Sequence, residues 1–155
     1  MKNKIKSILQ IAFVVPDIEK IVQFYSDVLG FDQWERTFVD EEALRKYPHY
    51  SRGEDMHATF KVAKGMVGDI EFEFMQPVEG ESIYMESLRA NNDRPHLHHL
   101  FVEMNDFDEV YKEMSSKYEK LQEGITPFGS KIVYFDTQDD MGFIMETGIK
   151  KKRPS

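Results

Sequence analysis

Hydrophobic and polar positions alternate with a period of two along several short segments, the pattern of strands that bury one face. In the first, residues 8–15, Gln10 shares a face with residues 12 and 14. Apolar residues then recur at helical spacing from Ile18 to Leu29. Asp17 can cap the first turn of this helix, and Gly30 can end it in the left-handed conformation. The pattern predicts a strand followed by an amphipathic helix.

Three further segments have the composition of strands. They are residues 32–38, 57–64 and 69–76. The last two are joined through Gly65 and Gly68, which favour a turn. Residues 39–55 are charged and aromatic, and we interpret them as an inserted loop or short helix.

The second half of the chain repeats this order. Residues 97–104 form a strand, Asp106 with Glu109 matches a capping box, and an apolar stripe follows at helical spacing. His99 lies 89 positions after Gln10 (99 − 10), and Asp106 lies 89 after Asp17 (106 − 17). Such a constant offset indicates an internal repeat of one strand, helix and three-strand unit.

The repeat predicts an α+β fold of two βαβββ modules in a single domain. The boundaries are about 8–76 for module one, 82–92 for a connecting helix, 97–147 for module two and 148–155 for a basic tail. Within module two, residues 131–137 and 142–147 are expected to be the closing strands.

Composition narrows the class of protein. The 155 residues, 41% of them apolar, can bury one full core. The net charge of −8 argues against nucleic-acid binding, and no segment reaches membrane-spanning length. The apolar run at residues 8–15 is better interpreted as a strand than as part of a signal peptide. Because cysteine is absent, any metal must take nitrogen and oxygen ligands, and a reducing cytoplasm fits.

Four polar residues occupy corresponding strand positions on the predicted cleft-facing side: Gln10, Glu73, His99 and Glu146. A carboxylate inside a cleft is costly unless a positive charge neutralises it, and a divalent metal would do so. Two neutral and two anionic ligands would give a neutral site. Each residue alone could be a polar rim residue, but their repetition favours a shared site. His98 should point to the opposite face and be structural.

Several stretches resemble the vicinal oxygen chelate superfamily, particularly methylmalonyl-CoA epimerases and their glyoxalase relatives. They are LQIAFVVPDIEKIVQFYSDVLGF, DIEFEFMQPVEGES, HLHHLFVEMNDFDEVYKEM and IVYFDTQDDMGFIMET. The resemblance implies an open, cupped mixed sheet and one divalent metal ion (Zn, Ni, Co or Mn). Its ligands would come from the first and last strand of each module. Those positions are Gln10, Glu73, His99 and Glu146.

The sequence departs from the epimerases at two points. They usually carry a histidine where this chain has Gln10, which instead resembles lactoylglutathione lyases. They also use a carboxylate on the third strand as an acid/base partner, whereas the stretch HATFKVAK contains none; His57 or Lys61 are candidate substitutes. Extradiol dioxygenases are disfavoured because only His99 occupies a histidine ligand position. His49 and His96 are expected to be solvated.

The chemistry implied is proton abstraction next to a carbonyl, with the metal stabilising the enolate. Glu146 is the first candidate for the base and Glu73 the second. The expected substrates are acyl-CoA thioesters or the hemithioacetal of a 2-oxoaldehyde, handled by a cytoplasmic enzyme that forms a homodimer. The alternative is a non-catalytic small-molecule-binding protein of the resistance type, because fold does not fix function.

Overall fold

The computed structural model describes residues 2–126 and 129–150. In these residues, ten strands form one mixed sheet. They are β1 (Ile5–Val14), β2 (Glu35–Val39), β3 (His49–Ser51), β4 (Glu54–Asp55), β5 (Thr59–Val67), β6 (Ile70–Glu79), β7 (His96–Met104), β8 (Lys120–Ile125), β9 (Lys131–Phe135) and β10 (Ile144–Ile149). The helices are α1 (Ile18–Leu29), α2 (Glu41–Lys46), α3 (Ile83–Ala90), α4 (Phe107–Lys117) and α5 (Gln138–Met141).

The sheet consists of two halves with matching strand order. The full order is β2-β5-β6-β1-β7-β10-β9-β8-β3-β4, and the first strands of the two modules, β1 and β7, pair antiparallel at its centre. Within each half the first strand pairs parallel with the last, β1 with β6 and β7 with β10. The curled, open sheet confirms the predicted α+β fold of two βαβββ modules.

Equivalent caps begin the two module helices, as predicted. The Asp17 carboxylate accepts a hydrogen bond from the backbone N–H of Lys20 at 3.2 Å, and Asp106 accepts one from Glu109 at 3.1 Å. Gly30 ends α1 with φ of 68°, the left-handed conformation expected of glycine there. Leu29 is 63% exposed, so the apolar stripe of α1 stops one turn before the helix ends.

The module helices cover the outer face of the sheet. Tyr25 of α1 packs edge-on against Phe74 of β6, with ring centroids 5.4 Å apart. Phe107 of α4 is buried in a cluster with Phe135 and other residues of β7, β9 and β10. Because these apolar side chains take up the outer face, the alternate residues of the central strands face the inside of the cup.

The insertion after β2 contains more structure than a loop. It forms the predicted short helix, α2, and then two strands that the sequence did not predict. Strand β3 pairs with β8 in the other half of the sheet, His49 opposite Gly124. Leu44 of α2 is buried in the same core cluster as Phe60 and Tyr84. The insertion therefore leaves one edge of the sheet, covers part of the cup and joins the other edge.

Arg52 fixes the far end of this insertion. Its guanidinium donates two hydrogen bonds to the Glu86 carboxylate of α3, at 2.9 and 3.1 Å, and its Nε lies 3.3 Å from Glu119. Its backbone N–H also donates to the carbonyl of Leu121. These contacts tie the insertion to the connecting helix and to the second module.

The predicted basic tail begins later than expected. Residues 148 and 149 belong to β10, and residues 151–155 lie outside the described part of the chain. None of the helices in the described residues is long and apolar enough to cross a membrane.

Candidate functional site

The inside of the cup holds a cavity of about 310 Å³. Its walls are largely apolar, with Leu9, Val39, Leu44, Phe60, Val62, Met66, Met75 and Ile132 among them. Polar side chains gather in the same cavity, and they include Gln10, His49, Lys64, Glu71, Glu73, Glu146 and Lys150. An apolar cleft with a small number of converging polar groups is typical of a small-molecule site.

The four residues singled out in the sequence lie on four neighbouring strands, β6, β1, β7 and β10, and all are buried. Gln10 Nε2 donates to Glu73 Oε2 at 3.3 Å. His99 Nε2 lies 3.4 Å from Glu73 Oε1 and 3.0 Å from Glu146 Oε2. The structure therefore places the four side chains next to one another, while their role as metal ligands stays a prediction.

Three buried atoms of this cluster have no hydrogen-bond partner outside it: Gln10 Oε1 has none at all, and His99 Nε2 and Glu146 Oε2 face only other members of the cluster. Buried polar atoms are nearly always fully hydrogen-bonded, so a buried cluster whose members have no partner beyond one another requires an explanation. The amide oxygen, the imidazole nitrogen and the carboxylate oxygen are all atom types that bind divalent metals. Within residues 2–126 and 129–150, the His, Asp and Glu side chains form no group of three or more that is arranged to hold a metal ion. The donor atoms therefore fit a divalent metal in their chemistry and burial, with Gln10 as the neutral oxygen, but not in their present arrangement.

Lys64 is the charged residue of the cluster that the sequence did not single out. It lies opposite Glu73 in the β5–β6 pairing, and its Nζ is 3.4 Å from Glu73 Oε2. Burial alone would lower the pKa of Lys64, but the carboxylates of Glu73 and Glu71 outweigh burial and raise it. Neither suggested substitute lines the cavity: His57 lies just before β5, and Lys61 lies on it. Lys64 lines the cavity.

The charge states of Glu73 and His99 follow from the groups around them. Burial raises the pKa of Glu73, but the Lys64 ammonium and the His99 ring outweigh burial and lower it to about 2. Burial lowers the pKa of His99, but the carboxylates of Glu146 and Glu73 outweigh burial and raise it to about 9. Without a metal, the cluster is a network of opposite charges at neutral pH.

His98 does not point away from His99 as the simple alternation of a strand predicted. Ala12 pairs with His99 and Phe13 with Leu97, so a bulge leaves His98 without a partner on β1. The two histidines meet through their Nδ1 atoms at 2.7 Å. Burial and the charge of His99 keep the pKa of His98 well below its ordinary value. His98 is therefore neutral, and His99 Nδ1–H donates to it.

A second group of polar residues lies at the cavity, with His49, Tyr84 and Tyr134 in its wall and Gln122 bonded to two of them. The Tyr84 hydroxyl donates to that of Tyr134 at 3.1 Å, and Gln122 Nε2 donates to the Tyr84 hydroxyl at 3.3 Å and to His49 Nδ1 at 3.2 Å. The expectation that His49 is solvated is wrong. No local signal in the sequence indicates its position, because the pairing of β3 with β8 is long-range.

A cupped sheet of two βαβββ modules, with one buried polar cluster between them, defines the vicinal oxygen chelate fold. The family model of the Glyoxalase/Bleomycin resistance protein/Dioxygenase superfamily matches residues 9–135. The chain belongs to this superfamily.

Solved structures with the same fold include methylmalonyl-CoA epimerases. The S115T variant of the Streptomyces coelicolor enzyme, in complex with 2-nitronate-propionyl-CoA, has a TM-score of 0.68 and 19% identity over 97% of this chain and 99% of that one. The Mycobacterium tuberculosis enzyme has a TM-score of 0.66 and 14% identity over 98% and 93%. A hypothetical protein from Bacillus halodurans has a TM-score of 0.65 and 16% identity over 96% and 97%. No curated protein matches this chain.

Proposed function

We propose that this protein is a divalent-metal-dependent enzyme that removes a proton next to a carbonyl group, as methylmalonyl-CoA epimerases do. The observation that carries this proposal is the group of three buried donor atoms, from Gln10, His99 and Glu146, that have no hydrogen-bond partner outside the cluster. A pure binding protein gains nothing from burying such a cluster, whereas a metal site needs donor atoms that no group outside the site engages.

Gln10, Glu73, His99 and Glu146 would hold the metal. With His99 neutral, these side chains carry two negative charges, which a dication balances. When bound, the metal supplies a positive charge that stabilises the negative oxygen of an enolate.

Glu146 is the residue best suited to accept the substrate's proton. Its Oε2 faces only His99 Nε2, at 3.0 Å, and the side chain lines the cavity. Glu73 is a weaker base, because Lys64 and Gln10 both lie at its Oε2 and its pKa is lowered to about 2. The α-proton would pass to the Glu146 carboxylate, while the electron pair of the broken C–H bond forms the enolate.

Lys64 adds a fixed positive charge to the same cavity. Its raised pKa keeps it protonated at neutral pH. An ammonium group that is already in place stabilises negative charge as it develops, without reorganisation of solvent. Lys64 would therefore favour the enolate as well as neutralise Glu73.

The substrate proposed is an acyl-CoA thioester. Epimerases with this fold have been solved with methylmalonyl-CoA or a nitronate analogue of propionyl-CoA. A second candidate is a lactoylglutathione lyase acting on a hemithioacetal, and Gln10 is the observation that favours it. Both reactions share the proton abstraction proposed for Glu146.

The test is deuterium exchange from solvent into the α-position of each candidate substrate. Metal-loaded protein is incubated in deuterated buffer with methylmalonyl-CoA, propionyl-CoA and the glutathione hemithioacetal of methylglyoxal, and incorporation is followed by mass spectrometry. We expect exchange with at least one of them, and its loss by roughly 100-fold or more in Glu146→Gln. Glu79→Gln, an exposed carboxylate at the end of β6, is the matched control.

Two outcomes would contradict the proposal. If the metal-loaded protein exchanges none of these substrates, it is not an enzyme of this type. If Glu146→Gln exchanges as fast as the wild type, the base is another residue and Glu73 is the next to test.

A further inference from the structure

The polarity of the cavity wall changes along two neighbouring strands. Lys64 of β5 lies opposite Glu73 of β6, which makes the wall charged there. Two residues further along, Val62 lies opposite Met75, and Phe60 follows at the next inward position of β5. All five side chains line the cavity. Residues two apart on a strand lie about 7 Å from each other on one face, so the wall turns from charged to apolar within that distance of Glu73.

The start of the insertion covers the apolar part of this wall. Val39, the last residue of β2, lies opposite Phe60 in the β2–β5 pairing. Leu44 of α2 is buried in the same hydrophobic cluster as Phe60, and Val39 packs against that cluster. Together these residues form the apolar end of the cavity, which consists of Val39, Leu44, Phe60, Val62 and Met75. A space with such a lining favours a hydrocarbon group over water.

The cations of the cavity lie at its charged part. Lys64 Nζ is 3.4 Å from a Glu73 oxygen, and Lys150 Nζ is 3.8 Å from a Glu71 oxygen. Burial lowers the pKa of His49, which therefore lines the cavity as a neutral ring. Within residues 2–126 and 129–150, no lysine or arginine belongs to the apolar end. A carboxylate bound there would be buried without a counter-charge, which is unfavourable.

We propose that the substrate is an acyl-CoA thioester whose acyl chain is an uncharged hydrocarbon of medium length, bound in the apolar end of the cavity. With the thioester carbonyl at the polar cluster, the chain would extend along β5 and β6, over Val62 towards Phe60. A methylmalonyl group would leave this wall unused, because its methyl group is short and its carboxylate would lack a counter-charge there. The thioester rests on the function proposed above, whereas the hydrocarbon chain rests on the wall itself.

Binding of a series of acyl-CoA thioesters tests this inference. The dissociation constants of acetyl-, butyryl-, hexanoyl-, octanoyl- and methylmalonyl-CoA are measured by calorimetry on the full chain in the presence of zinc. We expect affinity to rise roughly threefold for each methylene added up to hexanoyl-CoA, because each methylene leaves water for the apolar end. Hexanoyl-CoA should therefore bind roughly tenfold or more tightly than methylmalonyl-CoA.

Two variants change the size of the apolar end in opposite directions. Val62→Phe fills space beside Met75, and should reduce the preference for hexanoyl-CoA over acetyl-CoA roughly tenfold. Leu44→Ala enlarges the space, and should move the preferred chain from hexanoyl to octanoyl. Val67→Phe is the matched control for Val62→Phe, because Val67 lies on the same strand, is 40% exposed and does not line the cavity. Circular dichroism shows whether each variant keeps the fold.

The inference is overturned if affinity does not rise with chain length, or if methylmalonyl-CoA binds as tightly as hexanoyl-CoA. It is also overturned if Val62→Phe changes the preference no more than Val67→Phe does, or if none of the thioesters binds. Deuterium exchange separates it from the proposed function. Binding that depends on chain length, without α-exchange of any thioester, would support the inference and contradict the proposed function. Exchange of methylmalonyl-CoA alone would do the reverse.

Discussion

At the scale of single residues, Lys64 lies against the Glu73 carboxylate, so it would compete for that carboxylate with the proposed metal. Replacing Lys64 with Met should therefore affect metal binding and turnover in opposite directions. We expect metal affinity to rise roughly tenfold, because the competing Lys64 ammonium is gone. We expect the rate of deuterium exchange at the α-carbon to fall roughly 10- to 100-fold, because the enolate loses the positive charge of Lys64 beside it. Metal titration and the exchange assay measure the two effects. A parallel fall of both would mean that Lys64 only maintains the structure.

His98 supports the site through His99. Because His98 Nδ1 accepts from His99 Nδ1–H, it leaves His99 Nε2 as the nitrogen that faces the two carboxylates. We expect His98→Leu to lower metal affinity roughly 10- to 100-fold, as is usual for residues that orient a ligand histidine. Calorimetric titration with zinc or cobalt tests this. His96→Leu, at the start of the same strand, is the control, and equal affinities in the two variants would contradict the role.

At the scale of elements, the caps of α1 and α4 are equivalent. Asp17→Ala and Asp106→Ala should each lower the free energy of unfolding by about 1 kcal/mol, because each leaves a first-turn N–H without its partner. Urea denaturation followed by circular dichroism measures this, with the exposed helical change Lys20→Ala as reference. A loss confined to one of the two variants would show that the modules do not depend equally on their caps.

Elements with local signals were predictable from the sequence. The 89-residue offset identified β1 with β7 and Asp17 with Asp106, and alternation placed Gln10 and Glu73 inside the cup. The features that were missed depend on partners distant in the chain. The bulge that turns His98 requires the register of β7 against β1, and β3 exists because β8 offers it an edge. Lys64 was missed because its importance comes from Glu73 on the neighbouring strand.

At the scale of the whole molecule, a metal that binds the folded cup should stabilise it by mass action. At about 1,000 times the dissociation constant this amounts to about 4 kcal/mol, or roughly 8–16 °C in the melting temperature of a chain of this size. Thermal melts with and without zinc, cobalt, nickel or manganese measure the shift, and a chelator should reverse it. His99→Ala should reduce the shift strongly. An identical shift in His99→Ala would place the metal elsewhere.

The insertion also has a consequence for the order in which parts of the protein fold. Strand β3 pairs with β8, and residues 52–119 lie between them in the chain. During translation, the first module leaves the ribosome while the edge that β3 needs has yet to be synthesised. Pairings this distant form slowly, because the chain must close a long loop first. We therefore expect the covering of the cup to be among the last steps of folding. In a nascent chain that contains only the first module, His49 and the rest of β3 would be exposed.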